Sequence, residues 1–76
     1  MIEELDRVVL TVDMPKYNLV AGDIGVVVLI HSDHKGYELE FVTLEGETVA
    51  VVSVYAHQVR PIESGEIAHV RRLESA

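Results

Sequence analysis

Imidazole and carboxylate side chains are ligands for zinc or nickel, and residues at i and i+3 of a tight loop can converge on one point. His31, Asp33 and His34 have that spacing. A complete site needs a third or fourth ligand, for which His57 and Glu38 are the candidates, and no HExxH-type arrangement fixes the set. The plainer reading is a solvated hairpin loop, so no metal and no cofactor are assigned. Glu38 and Glu40 share one face of one segment, which is the raw material of a paired-carboxylate site. Such a pair needs a dry pocket to separate its two pKa values, and the local pattern places both acids in water. His57 and His69 stand alone, no serine among Ser32, Ser53, Ser64 and Ser75 sits in a His-and-acid pattern, and there is no cysteine. Triad members can also meet only in the fold. The run Gly22-Asp23-Ile24-Gly25 leads into β-branched residues rather than the helix that a phosphate cradle requires. No catalytic residue is assigned, and an enzyme is not expected.

The elements that would position these residues read as strands. Asp6 to Val12 is a first strand with Val8, Leu10 and Val12 on one face. The loop from Asp13 to Ala21 contains Met14-Pro15, which a central strand would not tolerate, and its Leu19 can fold back over one end of a core. Gly22-Asp23 turns the chain into a second strand, Ile24 to His31, and Ser32 to Gly36 is a polar hairpin loop. Tyr37 to Thr43 alternates, with Tyr37, Leu39 and Phe41 on one face and Glu38 and Glu40 on the other, so this third strand has one dry face and one wet face. Leu44 to Glu47 is a tight turn in which Gly46 supplies a positive φ, and Thr48 to Val54 is a fourth strand. Tyr55 to Gln58 breaks the alternation. A single helical turn there, followed by a short extended segment Val59 to Ile62, fits the avoidance of helical angles before Pro61.

With 76 residues there is room for one domain, and a chain this short buries only about 60% of its unfolded surface. Without cysteine, stability must come from the apolar core or from association. Hydrophobic residues make up 49% of the chain, with valine prominent, which favours strands. The net charge of −7, from 13 acidic and 6 basic residues, leaves little Lys and Arg for phosphate and makes nucleic acid an unfavourable partner. The acidic N-terminus has no signal-peptide pattern and the longest apolar run, Val26 to Ile30, is far too short to span a membrane. A cytoplasmic protein is expected. These elements predict an all-β fold of class SH3-like: a small five-stranded barrel over residues 1–62, with a 3₁₀ turn before the last strand. Residues 63–76 form a short C-terminal tail, read either as a short helix presenting Ile67, Val70 and Leu73 or as disordered.

The order of the pieces resembles an SH3-like barrel, including the KOW type, on the strength of Gly22-Asp23-Ile24-Gly25-Val26-Val27-Val28 and Ala56-His57-Gln58-Val59-Arg60-Pro61. More specifically, the span from Leu5 to Ile62 is similar to the small bacterial proteins of the domain of unknown function 4926 family. The residues that carry the likeness are Asp6-Arg7-Val8-Val9-Leu10, Leu19 with Gly22-Asp23-Ile24-Gly25, and Tyr37-Glu38-Leu39-Glu40-Phe41-Val42. Gly46, Thr48, Ala50 and Gln58-Val59-Arg60-Pro61 complete it. The resemblance implies the fold and no activity.

The second strand is apolar on both faces, with Val27 and Leu29 opposite Ile24, Val26, Val28 and Ile30, and the fourth strand is similar. A small barrel has one inside, so apolar residues left outside must meet the tail, a second copy or a protein partner. The expected function is a non-enzymatic protein-interaction module, an adaptor or accessory subunit. Its partner-binding residues are taken as Tyr17, Val27, Leu29, Tyr55 and Pro61, with Tyr17, Tyr55 and Pro61 building an SH3-type peptide groove. The alternatives are a KOW-like RNA- or ribosome-associated protein and an acidic, antitoxin-like inhibitor of a basic partner.

Overall fold

The computed structural model describes residues 1–73; the end of the predicted tail, including Ser75, lies outside the described residues. Five antiparallel strands form one sheet: β1 (Arg7–Leu10), β2 (Ile24–Ile30), β3 (Gly36–Val42), β4 (Thr48–Tyr55) and β5 (Val59–Pro61). Their order across the sheet is β4-β3-β2-β1-β5, the SH3-like order. β4 and β5 are the two ends of that order, so the sheet curls around its core without closing. No α-helix occurs among the described residues, and none is long and apolar enough to cross a membrane.

The period-two pattern of β3 makes the centre of the core. Tyr37, Leu39 and Phe41 are buried, and they meet Val8 and Leu10 of β1, Val27 of β2, Val52 and Val54 of β4 and Val59 of β5. Leu19 folds back from the β1–β2 loop and is also buried. That loop is stapled by a short bridge between Met14 and Leu19 around a 3₁₀ turn, Pro15–Tyr17, which ends on Asn18 in the left-handed region. At the β3–β4 hairpin, Gly46 has φ 94°, the positive value that its turn requires. The 3₁₀ turn before the last strand is Ala56–Gln58, where the Gln58 side chain accepts a 2.8 Å hydrogen bond from the Tyr55 N–H. Pro61 is tolerated because β5 is an edge strand and needs no outward donor.

One expected pattern fails. Val27 pairs with Leu39 and Leu29 pairs with Glu38, so Val28 is an extra residue and β2 carries a bulge. Val27 therefore points into the core while Leu29 is half exposed, and the two do not share a face as a strict alternation predicts. Past the bulge, Ile30 packs against the core instead of lying outside.

Where β2 crosses β3, a Cβ on Gly25 would lie 2.9 Å from the Phe41 ring, so only glycine leaves room for that buried side chain. Gly25→Ala is expected to destabilise the fold by about 1–3 kcal/mol, the usual cost of overpacking a filled core. Denaturant unfolding measures it, and an unchanged midpoint would mean that Phe41 does not hold this position.

Candidate functional site

The outer face of the sheet collects the polar residues that the sequence singled out. Glu38 lies opposite Leu29 on β2 and Ser53 on β4. The His31 Nε2 is 2.7 Å from Glu38 Oε2, and the Ser53 hydroxyl donates to the same oxygen. The Ser53 hydrogen bond, reinforced by the bond and charge of His31 and opposed by partial burial, holds the Glu38 carboxyl below its ordinary value. Serine, histidine and acid do meet here although no serine shows such a pattern along the chain; cross-strand register, invisible in the sequence, brings them together. Their order is His–Glu–Ser. No hydrogen bond joins the imidazole to the hydroxyl, whereas a nucleophilic serine needs the imidazole as its base. A carboxylate with a depressed pKa is a weak base, so the cluster acts as a cross-strand brace. Glu40 is held in the same way by the Thr48 hydroxyl at 2.7 Å, so Glu38 and Glu40 each engage β4.

The loop cluster does not form a metal site. His31 turns to Glu38, while Asp33 and His34 both have left-handed backbone, at φ 59° and 56°. Among the described residues no three His, Cys, Asp or Glu side chains are placed to hold a metal ion.

A shallow groove of about 340 Å³ opens beside this cluster, lined by His31, Lys35, Gly36, Ser53, Val54 and Tyr55. Gly36 keeps it open at its base, since a Cβ there would lie 2.7 Å from the Val54 carbonyl. Tyr55 is exposed and stacks on His57, with ring centroids 5.7 Å apart. The other members of the expected SH3-type groove lie elsewhere. Pro61 lines a different depression of about 460 Å³ with Leu5, Asp6, Arg7 and Ile62. Tyr17 lines neither; its ring carries the Lys16 ammonium 5.6 Å from its centroid. Val27, expected as a partner contact, is fully buried on the inner face just before the β2 bulge. Leu29 remains exposed, as do Ile24 and Val28 of the same strand and Val51 on β4.

The tail does not cover that surface. Residues 63–73 form no helix, and Ile67 and Val70 are 92% and 72% exposed, while Leu73 is half-buried. The tail is fastened by arginine instead. Arg60 forks onto Glu66 at 2.8 and 2.5 Å. Arg71 forks onto Asp23 at 2.8 and 2.6 Å and also donates to the Asn18 carbonyl. Burial alone would raise the Asp23 pKa, but hydrogen bonds from Arg71 and the Val20 N–H, with the Arg71 charge, outweigh it and hold the carboxyl low. The Arg60 hydrogen bonds, helped by the Glu63 N–H, bring Glu66 down to about 2. Fork geometry of this kind suits Arg and carboxylate specifically.

Among known families, the model described as "Domain of unknown function (DUF4926)" matches residues 4–61. No curated protein and no solved structure matches the chain.

Two titrations check this geometry. Removing the first contributor to the low Glu38 pKa with Ser53→Ala should move the Glu38 midpoint upward, toward 4.5, in side-chain carboxyl NMR; an unmoved midpoint would mean that the brace does not form in solution. Glu66 is depressed in the folded chain, so its contact is complete above pH 4.5 and is lost as pH falls through about 2. The Glu66 carboxyl resonance and the Glu63 amide should titrate together near that lower value, and a midpoint at 4.5 would show a free tail.

Proposed function

The chain belongs to the domain of unknown function 4926 family, and from the geometry of this member we propose that it is a non-enzymatic protein-interaction module, an adaptor or accessory subunit. The observation that carries the reading is the uncovered apolar surface of the sheet. Leu29 on β2 and Val51 on β4 are 50% and 54% exposed on either side of β3, Ile24 and Val28 of β2 are exposed as well, and the tail turns its own Ile67 and Val70 outward rather than over them. Apolar surface of this kind marks sites of association. The His–Glu–Ser cluster supports a non-catalytic reading, because its serine faces a weakly basic carboxylate.

Charge supports a protein partner over RNA. Of the six basic residues, Arg60 and Arg71 are each forked onto a carboxylate, which leaves still less cationic surface for phosphate than the net charge of −7 implies.

The test is affinity purification of the full chain from its host, with and without nuclease, alongside Leu29→Glu. A stoichiometric protein should survive nuclease. The variant should retain at least about tenfold less of it, as losing about 1.5–3 kcal/mol of apolar burial requires. Nucleic acid in the eluate, with partners lost on nuclease treatment, would overturn this reading in favour of RNA association. Retention of no protein at all would also overturn it.

A further inference from the structure

The two edges of the sheet are built differently. β5 is three residues long, ends in a proline and has Arg60 tied to Glu66 beside it. Short length, proline and charge are the devices by which proteins keep an edge from pairing. β4, at the other end of the sheet, has none of them. It runs for eight residues, Thr-Val-Ala-Val-Val-Ser-Val-Tyr, with no proline and no charged side chain. Its only strand neighbour is β3. Among the described residues, no backbone hydrogen bond outside that ladder involves Thr48 to Tyr55, apart from the Gln58 side chain on the Tyr55 N–H. A row of amides and carbonyls along this edge is free to accept another strand.

Charge selects the occupant. From Gly36 to Tyr55 the β3–β4 hairpin contains Glu38, Glu40, Glu45 and Glu47 and no lysine, arginine or histidine. Hydroxyls from β4 reach two of these acids: Ser53 bonds Glu38, which His31 also contacts, and Thr48 bonds Glu40, so both carboxylates lie on the β4 side of β3. A strand added to β4 would run about 4.8 Å from it, within reach of those acids for a long basic side chain. A second copy of this chain would instead bring another such acidic hairpin to the seam, with a net charge of −7 on each partner. Lys35 and His31 stand at one end of the edge, beside Tyr55, and leave the rest of the hairpin acidic.

We propose that β4 is a strand-addition site for an extended, basic segment of a protein partner. Main-chain hydrogen bonds would supply affinity, and alternate lysine or arginine side chains over Glu38 and Glu40 would supply selectivity. This rests on the protein-interaction reading above and specifies the partner's chemistry.

The probe is a capped Lys-Val-Lys-Val-Lys-Val-Lys peptide, titrated into the isotope-labelled full chain and followed by amide NMR, with the glutamate analogue in parallel. Amides of Thr48 to Tyr55 should shift and exchange more slowly with the basic peptide and not with the acidic one. Binding should weaken several-fold between about 50 and about 300 mM salt. Val51→Lys alters an exposed position, should leave the circular dichroism spectrum unchanged, and should lower peptide affinity about tenfold by placing a charge on the edge. No response at about 1 mM peptide, an equal response to both peptides, a response on the β1–β5 side, or a β4-mediated dimer in sedimentation would each overturn the proposal. The two readings fail separately. A cellular partner recovered by the full chain while the basic peptide leaves the Thr48 to Tyr55 amides unmoved removes the β4 assignment and leaves the interaction module standing, while the peptide titration reads β4 whether or not a cellular partner is recovered.

Discussion

A single curled sheet has to hold this chain together from one side. β4 and β5 do not join, so there is no closed barrel to distribute the load, and the fully buried side chains Val8, Leu10, Val27 and Leu39 come from only three neighbouring strands. Packing at that density leaves no slack. The Phe41 ring fits because β2 presents a bare backbone at Gly25, and Leu19 returns from a stapled loop to fill one end. The bulge at Val28 eases the same constraint: β2 has more apolar residues than the inner face can hold, and the extra residue leaves Leu29 outside along with Val28.

The sequence reading succeeded where information was local. Tyr37, Leu39 and Phe41 alternate with Glu38 and Glu40, and the strand has one wet face and one dry face as that pattern demands. Gly46 and the turn from Ala56 to Gln58 are equally local, because each is set by the conformational limits of a few consecutive residues. Alternation puts Val27 on the outer face with Leu29, because a bulge adds one residue and leaves no mark in a run of valines. Ser53 was read as isolated because its partner Glu38 lies on another strand, and only the register of β3 against β4 brings them opposite. What fastens the tail is hidden for a related reason. Its apolar spacing was visible, but pairing between Arg71 and Asp23 across 48 positions has no periodic signature.

The outer surface divides by charge as well as by polarity. The β1–β2 loop and the tail neutralise their acids internally, through Arg71 on Asp23 and Arg60 on Glu66. The β3–β4 hairpin has no cation of its own; Glu38 is met by Ser53 and by His31 from outside the hairpin, and Glu40 by the Thr48 hydroxyl alone. Hydroxyls orient a carboxylate without cancelling its charge. The overall charge of −7 is thus expressed unevenly, and more strongly at the edge that lacks every protection its counterpart has.

The forked arginine contacts also bear on what counts as the working unit. Asp23 and Arg60 lie inside the span 4–61 that defines the family match, while Arg71 and Glu66 lie beyond it. A protein trimmed at the family boundary would retain one half of each pair. Asp23 would be left with its backbone contact to Val20 alone, at the turn that starts β2, and Arg60 would become a loose cation on the edge strand. Measurements of charge, association or stability on such a fragment would describe a surface that the longer chain does not present.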